Sequence, residues 1–454
     1  MSDEPRNDLP RSSADSSPAR TDKGSLKPVT PDARIEAVDM LRGCALLGIL
    51  VINVISYALP SATLFNAPIA GGFAGADLAV WEVSYMVFFQ KMMAIFSMLF
   101  GAGVILMSTR AEAVGRTFGA IYYRRILWLG VFGLIHAYLF WYGDILFPYA
   151  IAGLLLYPLR RIPTKFLVGL GILVIVVGVL MSAGTGMMFE YVRGQAEAGE
   201  AAVSAGKTMN QQQEIMSEVW DELNQSFNPS QEKLNEEIEA IQGSYGEMVK
   251  YRLPETLAMH IQALPFFIFW RVFGMMLIGM GLMKAGVFSA ERSTRFYTIL
   301  AIGGYVIGLS LTGYGMKQLF AANFDFVYYF RAGGLYDYVG SVFVSLGHVG
   351  LIMIIFRSGI LSGLRKRLAA VGRMALSNYL THTLIFTVLF CGFGFGLFGE
   401  INRFGLIWMV FGVWILQLLI SPIWLRHFRF GPAEWIWRTL TYWRRQPMRV
   451  AEGD

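Results

Sequence analysis

The sequence predicts an all-α integral membrane protein, a bundle of about ten transmembrane helices with a helical loop on the external side. Three observations predict this fold class. Only 15% of the residues are charged, against about 25% in soluble domains, and the mean hydropathy is +0.49. About ten apolar stretches approach or exceed the 20 or so residues that a membrane crossing requires. Basic residues cluster in every second loop between these stretches.

The polar segment at residues 1–33 is rich in Ser, Pro, Asp and Arg and has no apolar centre of the kind that marks a cleavable signal peptide. Its composition predicts a disordered tail. The first apolar stretch then serves as an uncleaved membrane anchor. The two cysteines, Cys44 and Cys391, lie in separate apolar stretches and indicate packing residues, and the chain has no spacing typical of a metal site.

The apolar stretches define the predicted spans, of which the fourth is short. They cover residues 40–59, 84–107, 123–142, 145–159, 166–186, 264–284, 297–316, 338–356, 374–396 and 405–425. Loops on the cytoplasmic side of a membrane carry an excess of Lys and Arg. The loops after spans two, four, six and eight carry such an excess, as does the tail at 426–454. We therefore expect both termini in the cytoplasm.

An insertion at residues 187–262 separates two predicted five-helix membrane halves at 34–186 and 263–425. It carries thirteen acidic and five basic residues, and the charge alternation predicts that it is external. Its residue spacing from Glu232 to Val249 predicts amphipathic helices. Two interpretations stay open: a solvated helical cap, or a lid that gates a substrate or binds a partner.

Two glycine pairs predict close helix packing. Gly304 and Gly308 have the four-residue spacing that lets two membrane helices approach each other, and so do Gly392 and Gly396. The chain has no G-x-x-x-x-G-K-[ST] nucleotide loop, so a transport function would have to be secondary transport.

Ionisable residues within or beside the predicted spans are the main functional signal. Each costs roughly 2.5–3.5 kcal/mol in hydrocarbon, so its presence indicates a functional site. They are Lys91, His136, Asp144, Arg271, His348 and His382. A lone neutral histidine in a span, such as His348, more often forms a hydrogen bond to a neighbouring helix.

His136 and Asp144 form the strongest candidate catalytic pair. His136 lies near the end of the third span, and Gly143 permits a tight turn that could fold Asp144 back toward it. A carboxylate on one ring nitrogen makes the other nitrogen a better base, which suits a general base for a hydroxyl or amine. The alternative is an interfacial histidine, with Asp144 capping the fourth span. Trp141 and Tyr142 are typical of membrane-interface aromatic residues.

Lys91 and Arg271 are further candidate catalytic residues, which would stabilise an oxyanion. Lys91 in span two either extends to the outer surface or meets Asp144 across the bundle. Arg271 in span six keeps its charge and therefore needs a carboxylate, carbonyl groups or water.

Basic residues at the cytoplasmic mouth are candidates for binding donor phosphates. Arg42 shares a face of the first helix with Asp39, and Arg124 and Arg125 begin the third span. The alternative for Asp39 and Arg42 is helix capping and membrane anchoring.

Three polar residues are candidates for binding a substrate: Asn53, Asn378 and His382. Asn53 lies in the outer half of the first span, and its alternative role is to join neighbouring helices. Asn378 shares a polar seam of span nine with Ser377 and Thr381. His382 lies in the inner half of the same span, and its alternative role is a hydrogen bond to a neighbouring helix.

The tail after span ten contains the sequence G-P-A-E-W-I-W-R. Its interleaved Trp, Arg and Tyr residues predict an amphipathic helix on the inner membrane surface. Nucleic-acid binding is not expected, because the segment is attached to a membrane span.

These motifs resemble the YeiB-like family of bacterial membrane proteins, whose C-terminal part is domain of unknown function 418. Five stretches carry the resemblance: Val38–Asn53, Phe96–Gly103, His136–Ala150, Gly372–Leu380 and Phe430–Tyr442. They extend over nearly the whole chain after the tail. The resemblance implies a multi-pass protein of the bacterial plasma membrane.

That family is similar to the transmembrane acyltransferases, which include heparan-alpha-glucosaminide N-acetyltransferase and the bacterial sugar O-acylating enzymes. The resemblance implies a ten-helix bundle that passes an acyl group from cytoplasmic acyl-coenzyme A, a donor substrate and not a tightly bound cofactor, to an acceptor across the membrane. In the O-acylating enzymes an arginine is followed eleven positions later by a catalytic histidine. Arg42 matches that arginine, but Asn53 occupies the histidine position. His136 is then the best replacement base.

The leading hypothesis is acyl transfer to a hydroxyl or amine of a small molecule or glycan on the external side. The rival is a secondary transporter or flippase for a small anion or a lipid-linked sugar, in which the same buried charges bind the cargo. A third hypothesis is a non-catalytic scaffold that uses the external insertion. The identities of donor and acceptor stay open, as does formation of a homo-oligomer.

Overall fold

The computed structural model describes residues 35–115 and 117–450. The predicted tail at 1–33 lies outside these residues. Within them the fold is helical, and the β structure is limited to one isolated bridge between Phe428 and Arg449. The predicted all-α fold class is therefore confirmed.

The first part of the bundle contains six α-helices among the described residues, and two short 3-10 helices, Ser61–Leu64 and Ala67–Ile69, lie between the first two. The α-helices are α1 (Glu36–Ala58), α2 (Gly75–Val83), α3 (Lys91–Ala113), α4 (Gly119–Leu139), α5 (Leu146–Leu154) and α6 (Leu156–Leu159). A π-helical turn at Ser84–Phe88 and a left-handed residue, Gln90 with φ of +60°, join α2 to α3. The predicted span at 84–107 is therefore interrupted, because a left-handed residue cannot continue a right-handed helix.

The middle of the chain contains the insertion. Its helices are α7 (Thr164–Ser204), α8 (Gln211–Phe227), α9 (Gln231–Gln242) and α10 (Tyr245–Ala258). α7 has 41 residues and runs without a break through the predicted boundary at residue 187. The side chains of Asn210, Ser230 and Ser244 cap α8, α9 and α10, as polar residues commonly do at helix starts.

The last part of the chain begins where a π-helical segment, Met259–Ile268, continues α10 into the next helix. The helices are α11 (Phe269–Lys284), α12 (Thr294–Ala321), α13 (Phe326–Tyr328), α14 (Gly334–Ser358), α15 (Ser362–Arg373), α16 (Ala375–Phe390), α17 (Arg403–His427) and α18 (Pro432–Tyr442). A third π-helical turn, Tyr329–Gly333, joins α13 to α14.

Seven helical segments of the described chain are long and apolar enough to cross a membrane when adjoining helices are counted together, including the interrupted pair α2 and α3. They are Glu36–Ala58, Gly75–Ala113, Thr164–Ser204, Tyr245–Lys284, Thr294–Ala321, Phe326–Ser358 and Arg403–His427. The apolar helix α16 is shorter. α7 exposes Ile172, Leu173, Val176 and Leu180, a surface that suits lipid and not water. The protein is thus an integral membrane protein, and the count of ten spans stays a prediction.

The glycine pairs behave differently from each other. A Cβ atom on Gly304 would lie 2.6 Å from the Gly347 nitrogen, and one on Gly308 would lie 2.6 Å from the Val344 nitrogen. This confirms the predicted close packing, here between α12 and α14. The prediction for Gly392 and Gly396 is wrong, because α16 ends at Phe390 and both glycines lie in the turn beyond it.

Candidate functional site

His136 and Asp144 come together in the structure, as the sequence predicts. The Nδ1 atom of His136 lies 2.8 Å from Oδ1 of Asp144. Both residues are 3% exposed, so the pair is shielded from solvent. His136 lies in the last turn of α4, and Asp144 follows the turn that reverses the chain into α5. We assign the ring proton of His136 to Nδ1, where it faces the carboxylate of Asp144. Nε2 then keeps its lone pair.

Asp144 also holds the start of α5. Its Oδ2 atom accepts a hydrogen bond of 2.8 Å from the backbone N–H of Phe147. The two interpretations of Asp144 are therefore compatible, since one oxygen faces the imidazole and the other caps a helix. Gly133 on α4 allows this approach, because a Cβ atom there would lie 2.9 Å from the same Oδ2 atom.

Two residues that sequence reasoning did not single out complete the hydrogen-bonded chain. The Nε2 atom of His136 lies 2.8 Å from the hydroxyl of Thr383 on α16. That hydroxyl lies 2.7 Å from the phenol of Tyr57 on α1. Thr383 and Tyr57 are each 1% exposed. We call Asp144, His136, Thr383 and Tyr57 the histidine site.

Aromatic side chains enclose the histidine site. The Trp141 ring centroid lies 4.3 Å from that of Tyr57, and the Tyr379 ring lies 5.2 Å from the imidazole. Trp141 and Tyr142 are buried, so the interpretation of both as interface aromatics is wrong. The chain turns inward after α4, and this turn carries both rings into the bundle. Their indole N–H and phenol groups have no hydrogen-bond partner among the described residues.

The insertion lies against the same end of the bundle. The Tyr245 hydroxyl at the start of α10 donates a 2.6 Å hydrogen bond to the Leu139 carbonyl at the end of α4. Glu237 on α9 accepts a 2.9 Å bond from the Ser61 N–H. Burial, followed by the charge of Glu255, raises the pKa of Glu237 to about 8. The insertion therefore packs on the bundle as an integral part of it.

Lys91 does not meet Asp144, and that expectation is wrong. It is fully buried and forms an ion pair with Asp337 on α14. Its ammonium also donates a 2.8 Å hydrogen bond to the Tyr85 carbonyl, and Thr312 donates to Asp337. Lys91 heads α3 below the π-helical turn, which directs it toward α14 and away from the outer surface.

Arg271 lies in a second polar cluster with Lys91 and Asp337. Its guanidinium donates hydrogen bonds to the Tyr338 carbonyl and the Ser341 hydroxyl. This satisfies the expected need for carbonyl groups. No hydrogen bond or ion pair joins Arg271 or Lys91 to His136 or Asp144 within the described chain. The structure therefore does not bring the two cations to the imidazole.

An arginine cluster lies at the opposite end of α4. We define it as Arg42, Arg125, Arg373 and Arg438. Arg42 forms a 2.8 Å ion pair with Asp39, and Arg373 is also attracted to that carboxylate. Arg125 and Arg438 lie close enough for their charges to repel each other and that of Arg42. Burial lowers the pKa of Arg438. The neighbouring Tyr442 and Glu434 act in the opposite direction and raise it.

The three predicted donor-binding arginines therefore separate into two groups. Arg42 and Arg125 belong to the cluster, whereas the guanidinium of Arg124 faces the ring of Trp443 at 5.8 Å. Arg373 and Arg438 are members that the sequence reasoning missed. Their signal was their position directly before span nine and within the G-P-x-E-W-x-W-R sequence.

The G-P-x-E-W-x-W-R sequence forms the start of α18 and joins it to the bundle. Glu434 accepts hydrogen bonds from the N–H groups of Leu376 and Ser377, at 2.6 and 3.1 Å, and thereby caps α16. Burial raises the pKa of Glu434, and this effect is larger than the lowering by these hydrogen bonds. The Trp437 indole donates a 2.9 Å bond to the Arg125 carbonyl. α18 thus holds α4 and α16 together. Arg438 lies one helical turn after Glu434 on the same helix.

Within the described chain, the predicted substrate-binding residues form no hydrogen bond with the imidazole of His136. His382 Nε2 lies 3.0 Å from Gln417 Oε1, and Gln417 donates a 3.1 Å bond to the Asn378 carbonyl. These bonds join α16 to α17. Asn53 is half-buried on α1, one helical turn before Tyr57. His348 bonds to Tyr305 and the Val87 carbonyl, as expected for a histidine that joins helices.

Comparison with known proteins identifies the family. The protein named "Uncharacterized protein YeiB" from Escherichia coli (strain K12) is 30% identical over 413 residues, which cover 89% of this chain and 95% of that protein. The chain belongs to the YeiB-like family. The "Uncharacterized protein YxaH" of Bacillus subtilis (strain 168) is 28% identical to this YeiB-like chain over 433 residues, or 93% of the chain and 98% of the relative.

The C-terminal part of the YeiB-like chain also matches a family described as a protein of unknown function, DUF418, over residues 282–444. No solved structure matches the chain. The DUF418 match includes Thr383, Arg373 and Arg438 but not His136 or Asp144. The histidine site and the arginine cluster are therefore each built from both parts of the YeiB-like chain.

Proposed function

We propose that this YeiB-like protein transfers an acyl group from cytoplasmic acyl-coenzyme A to a hydroxyl or amine acceptor at the outer face of a bacterial plasma membrane. The observation that carries the proposal is the buried pair of His136 and Asp144, whose Nδ1 and Oδ1 atoms are 2.8 Å apart. A carboxylate that fixes the tautomer leaves Nε2 as the base, and this is how general bases for acyl transfer are built.

The arginine cluster supports the choice of donor. The cluster has four guanidinium groups, of which Arg42, Arg373 and Arg438 are attracted to Asp39 or Glu434. Glu434 directs its oxygens to the start of α16. Unbalanced positive charge of this kind suits the phosphates of a coenzyme A derivative. Arg125 and His136 lie eleven residues apart on α4, or about 16 Å at 1.5 Å per residue. One helix therefore connects the donor end to the site of chemistry.

The orientation follows from the charges. Arginines concentrate in the loops at the cluster end, which we assign to the cytoplasm by the excess of basic residues. The acidic insertion and the histidine site then lie on the external side. An external acceptor can reach Nε2 of His136 only if the contacts of Trp141 and Tyr245 open.

The test measures acyl transfer by purified protein in lipid nanodiscs. Radiolabelled acetyl-coenzyme A and a mixture of bacterial envelope glycans and amines are supplied to wild type and to His136→Ala. We expect label transfer by wild type and its loss in His136→Ala. His348→Ala is the matched control, since His348 also joins two helices by hydrogen bonds but lies in another network. Equal transfer by His136→Ala and wild type would contradict the proposal.

A second candidate function is secondary transport of a small anion. The cluster of Lys91, Arg271 and Asp337 favours it, because two buried cations face one carboxylate. A cleft lined in part by Thr63 and Tyr85 lies beside this cluster, and both hydroxyls have no partner among the described residues. Gradient-dependent uptake of an unmodified anion into proteoliposomes, abolished by Arg271→Gln, would favour transport over acyl transfer.

A further inference from the structure

We infer that Thr383 is a nucleophile that carries the acyl group as an ester between donor and acceptor. This inference rests on the proposed acyl transfer and extends it. Direct transfer would need only a base beside the acceptor, whereas the structure provides a protein hydroxyl at the position where that base acts.

The geometry is that of a nucleophile, a base and a carboxylate in series. The Thr383 hydroxyl lies 2.8 Å from Nε2 of His136, and Nδ1 of His136 lies 2.8 Å from Asp144. These distances match the hydrogen-bond reach expected of an activated hydroxyl and its oriented base. Tyr57 lies 2.7 Å from the same hydroxyl oxygen and donates to it when Thr383 donates to His136.

The other threonines of α16 donate their hydroxyl protons to the backbone of their own helix. Thr381 and Thr387 donate hydrogen bonds to the carbonyls of Ser377 and Thr383, four residues earlier in their own helix, at 2.8 and 2.7 Å. Threonine in a helix commonly satisfies its hydroxyl in this way. The Thr383 hydroxyl instead bonds to α4 and α1. Its direction is therefore set by the histidine site and not by its own backbone.

In the first step, His136 Nε2 takes the hydroxyl proton as the Thr383 oxygen attacks the carbonyl carbon of an acyl thioester. The oxygen–carbon bond forms, the carbon–sulfur bond breaks, and the imidazolium gives its proton to the departing thiolate. In the second step, His136 takes a proton from the acceptor hydroxyl or amine. The acceptor bonds to the carbonyl carbon, the ester bond to Thr383 breaks, and the proton returns to the Thr383 oxygen.

The residues around Thr383 supply two further requirements of acyl transfer, a donor for the oxyanion and protection of the ester from water. An anionic tetrahedral intermediate requires a hydrogen-bond donor that has no other partner. The Trp141 indole N–H is such a donor, since the described chain offers it no acceptor and its ring packs on Tyr57. The ester must also be kept from water. Thr383 is 1% exposed, and its hydroxyl lies against the phenol of Tyr57, whose ring packs on Trp141.

A covalent intermediate also fits the two-sided arrangement. The arginine cluster and the insertion lie at opposite ends of α4. With direct transfer, donor and acceptor must occupy the buried site together. With an acylated Thr383, the thiol product can leave toward the arginine cluster before the acceptor enters from the insertion end.

The test incubates full-length protein in nanodiscs with acetyl-coenzyme A, without an acceptor, and analyses it by intact mass and peptide mapping. We expect wild type and Thr383→Ser to gain one acetyl group at position 383. Thr383→Val, which keeps the shape but removes the hydroxyl, should gain none, and its kcat should fall roughly a thousandfold or more. Thr387→Val is the matched control and should label at Thr383 like wild type.

The outcomes separate the two proposals. Acetyl transfer to an acceptor at the wild-type rate by Thr383→Val, with no label on wild type, would overturn the covalent step and leave acyl transfer in place. Absence of both labelling and transfer in wild type, with acetyl-coenzyme A and with the activated ester p-nitrophenyl acetate, would overturn both. Label on wild type at a residue other than 383 would overturn the assignment of Thr383.

Discussion

Lys91 and Asp337 form a fully buried ion pair that joins α3 to α14 across 246 residues of sequence. Each partner has one further polar contact, with the Tyr85 carbonyl and the Thr312 hydroxyl respectively. Breaking such a pair leaves one uncompensated charge in a region of low polarity. The pair therefore strongly constrains how these two helices can move apart.

We expect Lys91→Met to lower the free energy of unfolding in detergent by up to about 3–5 kcal/mol, because Asp337 loses its ion-pair partner and keeps the weaker attraction of Arg271. The double variant Lys91→Met with Asp337→Leu should recover most of this loss. Lys233→Met is the control, since its pair with Glu236 is exposed and its loss should barely change the free energy of unfolding. A double variant no more stable than the single one would contradict the interpretation.

Asp144→Asn should reduce kcat for acyl transfer by roughly 10⁴-fold while the protein stays folded. The amide can still accept from the Phe147 N–H, but it no longer fixes the proton of His136 on Nδ1 or stabilises the imidazolium. Steady-state kinetics and the thermal midpoint should be measured together. A loss of kcat that is accompanied by a large drop in the thermal midpoint would indicate a purely structural role for Asp144.

The fold was largely predictable because apolar length and the excess of arginine in alternate loops are local signals. The pairing of His136 with Asp144 was predictable for the same reason, since eight residues and one tight turn separate them. Thr383 and Asp337 were not predictable. Each meets its partner across about 250 residues. A single threonine carries no signal in one sequence, and an aspartate beside a span does not indicate which helix it meets.

Gly133→Ala should impair both folding and acyl transfer, because its methyl group would clash with the Phe147 backbone nitrogen and would displace α5 together with Asp144. The methyl group would also lie 2.9 Å from Oδ2 of Asp144, so the carboxylate must move away from His136. Gly103→Ala is the control, because no atom lies within 4 Å of the position of its methyl group. That change should stabilise α3 by up to about 1 kcal/mol and leave activity unchanged.

Arg438→Gln should raise the KM for acetyl-coenzyme A about tenfold or more with little change in kcat, because a charge-assisted contact to a phosphate contributes roughly 1.5–3 kcal/mol. Lys366→Gln removes the same charge from an exposed position and should leave KM unchanged. A KM that Arg438→Gln does not alter would exclude the arginine cluster as the donor site.

Stability should fall as the pH rises from about 4.5 to about 8. The pKa of Glu237 is raised in the fold from 4.5 to about 8, so the folded protein binds more protons than the unfolded chain in this window. The stabilising contribution of Glu237 is fully present below pH 4.5 and is lost as the pH rises through about 8. The groups that face Glu237 are Glu255, Arg252 and the Ser61 N–H.

The thermal midpoint should therefore decline over this pH window in wild type and decline less in Glu237→Gln. Glu236→Gln is the neighbouring control, because that side chain is exposed and pairs with Lys233. A pH profile that Glu237→Gln leaves unchanged would assign the dependence to another group.

The unbroken length of α7 limits how the site can open. Its 41 residues measure about 60 Å, twice the roughly 30 Å of hydrocarbon in a bilayer. The C-terminal half of α7 therefore extends beyond the hydrocarbon, and α8 packs along it. When an acceptor approaches from the insertion end, we expect the contact between Tyr245 and the Leu139 carbonyl to separate, while α7 keeps its place.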